Sequence, residues 1–285
     1  MATNTPFGQR LGLVLEGGAM RGIYTAGVLD VFLEAGIMPD VVVGVSAGAL
    51  HGCSYVAGQK GRSIRYYRKS RNDKHFMGLY SLLTTGDVVG TKFCYEDIPL
   101  RLDPFNEAAF EKAPVDFYVT VTNVRTGKPE YILCDELKVG SKMDVIRAGA
   151  SMPLCSKMVE WNGNLYLDGG VSDSIPYAKM KDFGCRKSIV VLTQPAGYLK
   201  QPAAMAPFEA MYRKYPAFVE AMRGRDQMYN TEVCAVEQAA KQGDVFLIRP
   251  SKLLHVGRME HDIEVLNAQY ELGRQDARNQ MDAMR

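Results

Sequence analysis

Three short segments hold the residue types that could perform acyl chemistry. In Gly44-Val45-Ser46-Ala47-Gly48 a serine stands between small residues and two glycines. A strand that turns at once into a helix strains the corner residue, and the flanking glycines let the chain bend there. The serine is then presented at a helix N-terminus, where N–H groups and the helix dipole favour a developing oxyanion. Alone, the pattern also fits a tight strand-to-helix connection with no chemistry. Gly17-Gly18-Ala19-Met20-Arg21-Gly22 exposes consecutive backbone N–H groups, which is an anion cradle. It could be an oxyanion hole or a phosphate loop. Its spacing matches neither nucleotide-loop pattern, and a nucleotide site needs no serine elbow one strand later, so the oxyanion hole is favoured. Asp168-Gly169-Gly170 ends an apolar run. An aspartate beside two glycines can approach another loop closely, although Asp-Gly is first of all a turn signal.

The elements around these segments suggest how they meet. Residues 11–15 form a compact apolar run before the glycine loop. Tyr24, Val28, Val31 and Ala35 follow at helical spacing, with Gly36 as a stop. Val41-Val42-Val43 is continuously apolar, as in a strand buried on both faces, and a small-residue helix is expected over 47–57. Strand, helix, strand, helix implies a parallel sheet with right-handed crossovers. Its strands end at one edge, which brings the glycine loop and the serine corner together. Residues 117–123 and 131–134, joined through Thr126-Gly127, predict a hairpin and hence an antiparallel part. Residues 165–167, 189–193 and 245–248 supply further strands. Residues 207–242 read as helix interrupted at Pro216, a last helix covers 260–284, and 194–202 is the best linker.

Together, the three segments stand in the order and approximate spacing of the patatin-like phospholipases, and the chain resembles that family over about residues 11–180. Ala150-Ser151-Met152-Pro153 is similar to a block the family carries before its aspartate strand. The resemblance implies a three-layer α/β/α fold with a central, mostly parallel sheet. Residues 7–200 would be the catalytic domain, and 201–285 a mostly helical extension with one strand, packed on the same core. It further implies a dyad without histidine: Ser46 as nucleophile, Asp168 as base, and the backbone of Gly17, Gly18 and Ala19 as oxyanion hole. Arg21 matches the family's basic position. Gly22, Gly44, Gly48, Gly169 and Gly170 complete the motifs. No metal or cofactor is implied. Ala19 departs from the family, which commonly has glycine there. Alanine keeps the N–H but tolerates fewer backbone angles.

The histidines fit this reading. Among four, His51 lies five positions after Ser46, about 140° around a helix, and should not reach it. His75 sits in a basic segment. His255 and His261 occupy the late position that a Ser-Asp-His order would want. A Ser–His–Asp esterase is therefore the alternative enzyme, although only two strands fit before Ser46. A non-catalytic lipid-binding protein is the alternative of another class.

The chain has 285 residues, 47% hydrophobic and 23% charged, with formal net charge +2. That is globular composition, and the charge argues for no nucleic-acid partner. No apolar run approaches the roughly 18–20 residues of a membrane span, and no signal-like stretch opens the sequence. The expectation is a cytoplasmic protein with six reduced cysteines and no zinc spacing. Lys60, Arg62, Arg65, Arg68, Lys69, Arg71 and Lys74 stand against the single acid Asp73 and precede Phe76-Met77-Gly78-Leu79-Tyr80. This is either a solvated face or a peripheral membrane contact. Lipid acyl esters are the substrate class the resemblance implies.

Overall fold

In the computed structural model, residues 10–282 are described. The expected domain start at residue 7 and the expected end of the last helix at 284 lie outside them. Eight strands make one sheet: β1 (Arg10–Leu15), β2 (Val41–Val45), β3 (Asp116–Asn123), β4 (Pro129–Leu133), β5 (Val159–Trp161), β6 (Asn164–Asp168), β7 (Cys185–Val191) and β8 (Val245–Ile248). Their order is β5-β6-β3-β2-β1-β7-β8, with β4 also paired to β3. The pairs β1/β2, β1/β7, β2/β3 and β7/β8 are parallel. The pairs β3/β4, β3/β6 and β5/β6 are antiparallel. The helices are α1 (Ile23–Glu34), α2 (Ala47–Val56), α3 (Arg62–Ser70), α4 (Leu79–Thr85), α5 (Glu107–Lys112), α6 (Met143–Gly149), α7 (Ala206–Met211), α8 (Pro216–Arg223), α9 (Arg225–Lys241) and α10 (Ile263–Asp282).

Alternation along the buried strands divides the core into two layers. Leu13, Leu15, Val42 and Val119 pack against Tyr24 and Val28 of α1, Ala49 of α2, Ile146 of α6 and Leu272 of α10. Val14, Val41, Val43 and Val190 face the other way, onto Tyr229, Val236 and Ala239 of α9. Period-two alternation sends successive side chains to opposite faces, so each strand needs apolar residues throughout. The result is the three-layer α/β/α arrangement.

The expected hairpin is present, with Gly127 at φ 67° in its turn and Tyr118 opposite Leu133. Helix 207–242 is broken twice: Pro216 begins α8, and Gly224 separates α8 from α9. Helices α3 to α6, a π-helical stretch Phe93–Leu102 and the short β5 were not foreseen. Their apolar residues are too few or too irregular to give a clear period.

Register along β3 positions the site. Thr120 pairs with Val45 on one side and Tyr131 on the other, whereas Val121 pairs with Asp168 and Glu130. Strand β6 therefore takes over the edge of β3 where β2 ends. Asp168 falls one register step past Val45, beside the chain as it turns out of β2.

Candidate active site

Ser46 occupies that turn with φ 54° and ψ −123°. This is a strained conformation for a residue with a side chain, costing on the order of 1–3 kcal/mol. Its carbonyl accepts from Ala49 and Leu50 as α2 begins, so strand and helix together hold the strain. The neighbouring glycines allow close passage. A Cβ on Gly48 would stand 2.3 Å from the Leu15 carbonyl oxygen, and one on Gly17 would stand 2.7 Å from the Ser46 Cβ. The glycine loop thus runs directly over the serine. Gly44 lies under Ala49, Gly22 against Ala47, and Gly169 on Thr120.

Ala19 adopts φ 48°, so the one alanine in this loop sits in the left-handed region. Gly18 lies against Thr193, whose hydroxyl donates to the Gly17 carbonyl at 2.9 Å. Among the described residues, the N–H groups of Gly17, Gly18 and Ala19 donate to no backbone acceptor outside regular elements.

Asp168 is buried, and its carboxyl lies close enough to Ser46 for the serine hydroxyl to favour its charged form. The Gly170 N–H donates to it at 2.8 Å. Burial pushes the Asp168 carboxyl above the usual carboxylate range, partly opposed by the Ser46 hydroxyl and the charges of Arg225 and Lys200. The structure therefore brings together Ser46, Asp168 and the loop from Gly17 to Gly22. His51 is not a surface histidine: it is buried, neither ring nitrogen has a hydrogen-bond partner, and burial pushes its pKa down to about 3. His255 is exposed, as is His261, whose ring meets the Arg71 carbonyl. Among the described residues no group of three or more His, Cys, Asp or Glu side chains converges as a metal site would.

A cavity of about 110 Å³ opens beside Ser46. Leu50, Tyr67, Ile98, Phe105 and Ile146 help to make it predominantly apolar. Half of its lining residues come from 62–105, the region whose elements sequence periodicity did not resolve.

Several residues near the site carry no motif signal. Glu16 is buried and accepts from the Thr193 N–H at 2.6 Å and the Tyr229 hydroxyl at 3.0 Å. Burial pushes its carboxyl up. The Arg225 Nε donates to the Gly170 carbonyl at 2.5 Å. Glu16 alone had a legible cue, an acid closing an apolar run before the glycines.

The basic run is largely neutralised internally. Arg62, Arg65 and Lys69 surround Asp103 at 3.7, 2.6 and 3.8 Å, and Lys60 meets Glu34 at 3.5 Å. Their counterions lie far away in sequence. Beside the run, Leu79 and Leu83 on α4 are 70% and 77% exposed, and the Lys74 Nζ stands 4.6 Å over the Tyr80 ring.

The family model described as "Patatin-like phospholipase" matches residues 13–180, the region that contains all three motifs. The chain belongs to the patatin-like phospholipase family. It is accordingly a hydrolase acting on carboxylic ester bonds. A second model, a domain of unknown function (DUF6363), matches residues 215–285. Protein YjjU of Escherichia coli K12 is 28% identical over 273 residues, 93% of this chain and 75% of that protein. Lysophospholipase NTE1 of Saccharomyces cerevisiae is 30% identical over 186 residues, which is 65% of this chain but 11% of the yeast protein. Lysophospholipase nte1 of Aspergillus terreus is 29% identical over 180 residues, again 11% of that protein. VipD from Legionella pneumophila shares the fold with a TM-score of 0.50 at 14% identity, over 99% of this chain and 69% of VipD. Among the described residues, no helix of this patatin-like chain is long and apolar enough to cross a membrane.

Proposed function

We propose that this chain cleaves lipid acyl esters, phospholipids or lysophospholipids, through a Ser46–Asp168 dyad and an acyl-enzyme. The observation that carries the reading is the buried Asp168 carboxyl beside Ser46, at the edge of an apolar pocket. Asp168 takes the Ser46 proton as the hydroxyl oxygen attacks the ester carbonyl, and the developing oxyanion turns to the N–H groups of Gly17, Gly18 and Ala19. The tetrahedral adduct collapses, the leaving alkoxide takes the proton, and the acyl group stays on Ser46. Water then attacks the acyl-enzyme with Asp168 again as base. The raised Asp168 pKa makes it a better proton acceptor than a free carboxylate. The apolar pocket suits an acyl chain, and the lysophospholipase relatives support lipid esters as substrates.

A histidine-dependent triad has less support, because His255 and His261 are exposed and the groups acting on Asp168 are Ser46, Arg225, Gly170 and Lys200. We further propose residues 7–200 as the catalytic unit and 201–285 as an extension on the same core, a reading supported by the pairing of β8 with β7. Peripheral membrane contact is proposed along the run from Lys60 to Lys74, chiefly where Lys74 adjoins the exposed leucines of α4.

A fluorophosphonate probe with mass-spectrometric mapping tests the nucleophile. It should label Ser46 in the wild type and nothing in Ser46→Ala. An unlabelled Ser46 in folded protein would end the hydrolytic reading.

A further inference from the structure

Arg225 and Lys200 lie near Asp168, and Arg21 and Arg258 lie near Lys200, with too few anions to balance the four cations. Lys200 feels the charges of Arg225, Glu16, Arg21 and Arg258. Arg225 feels those of Asp168, Arg258 and Glu16. The set therefore holds four positive charges against two carboxyls, and burial raises both carboxyls, which widens the imbalance. Among the described residues none of the four cations makes a direct ion pair. The Arg21 Nε is buried with no hydrogen-bond partner.

These side chains are held in place. Residue 200 is clamped to α9, its N–H donating to the Asn230 side chain at 2.9 Å and its carbonyl accepting from that side chain at 3.1 Å. The Lys200 Nζ stands 4.1 Å from the centre of the Tyr229 ring. Arg225 is tied to the Gly170 carbonyl, two residues past Asp168. Arg258 lines the same pocket as Ser46. Lys200, Arg225 and Arg258 are only partly buried or exposed, so a ligand can reach them. Like charges kept close with too few counterions repel one another, and an anion relieves the repulsion.

We infer that Lys200, Arg225 and Arg258, with Arg21, form an anion site beside Ser46 that takes the phosphate group of the substrate. An excess of two positive charges suits a phosphodiester or a phosphomonoester, and arginine forks match phosphate oxygens in pairs. The inference rests on the hydrolase reading and sharpens it: the acyl chain lies in the apolar pocket, the headgroup phosphate among the cations, and the scissile ester between them at Ser46. Lys200, Arg225 and Arg258 lie outside the patatin-matched residues, so the C-terminal part of the chain would set headgroup choice.

The test compares kcat/KM for oleoyl lysophosphatidic acid and monooleoylglycerol, which share an acyl chain and differ in the phosphate. Wild type should favour the phosphate ester by about ten- to a hundredfold, the worth of hydrogen bonds to a charged group. Lys200→Met and Arg258→Gln should each remove most of that preference. The second variant is at an exposed position and so keeps the test open if the first misfolds. Calorimetric binding of inorganic phosphate to Ser46→Ala protein, with and without these substitutions, reads the same site without turnover. A ratio that stays fixed while phosphate binding is lost would assign the site to free phosphate and refute the headgroup reading. Phosphate binding at these residues with neither ester cleaved would retire the hydrolase and leave the anion site. Independence from both residues in both assays would overturn the anion site.

Discussion

The Tyr229 hydroxyl, on α9, donates at 3.0 Å to the buried carboxyl of Glu16 at the end of β1. This bond links the residue before the glycine loop to the C-terminal part of the chain. Removing the hydroxyl leaves a buried carboxyl oxygen short of a partner. Tyr229→Phe should therefore cost about 1–3 kcal/mol, measured by urea unfolding. The ring under Lys200 remains, so the loss reports the hydroxyl alone. A change within experimental error would mean that the Thr193 N–H suffices to hold Glu16.

Asp168→Asn should separate activity from stability. Burial raises the folded-state pKa of Asp168, so the folded chain keeps its proton to higher pH than the unfolded chain does. Stability then falls as pH rises from the unfolded value through the raised folded one, and the whole penalty is present above it. Asparagine carries no such penalty. The variant should melt higher than wild type at neutral pH, with the advantage vanishing below the unfolded carboxylate pKa of about 3.9. Ester hydrolysis should fall by roughly 10²–10⁴ for a lost general base. A variant that is both active and no more stable would contradict both halves of the argument.

Ala19 carries a side chain at φ 48°, a conformation costing roughly 1–2 kcal/mol for an L-residue. Glycine removes that strain but frees the unfolded chain by about 0.4–1 kcal/mol. Ala19→Gly should thus be neutral or stabilising by up to about 1.6 kcal/mol, with hydrolysis retained because the N–H is unchanged. A marked loss of kcat in thermal-shift-verified folded protein would show that the alanine itself positions the loop.

The parts of the site that are local in sequence were the legible ones. The turn at Ser46, the glycine loop and the strand before Asp168 each announce themselves by residue type, because steep bends need small residues wherever they occur. The meeting of Ser46 with Asp168 was readable only through family resemblance. Its physical cause is that β6 replaces β2 along one edge of β3, and no window of sequence contains that register. The pocket wall was illegible for another reason. Residues 62–105 are short helices and a π-helical stretch packed around a cavity, so their apolar residues follow the cavity rather than a helical stripe. The pairing within the basic run was not legible because Asp103, which meets three of its cations, lies well downstream.

Headgroup preference should depend on pH through Lys200. Burial, reinforced by Arg225, pushes its pKa down to about 8, against the pull of Glu16. Tyr229, Arg21, Arg258 and Asp168 complete the charged and titratable groups around it. Lys200 is cationic below about 8 and neutral above it, so attraction for phosphate is lost as pH rises through that value. Asp168 acts on both esters alike and cancels in their kcat/KM ratio. The phosphate's own second ionisation, near a pKa of about 6, is complete before Lys200 titrates. The ratio of lysophosphatidic acid to monooleoylglycerol hydrolysis should therefore fall across the window around 8. In Lys200→Met the ratio should be low and flat over the same range. A wild-type ratio that holds level through this window would show that Lys200 does not touch the phosphate.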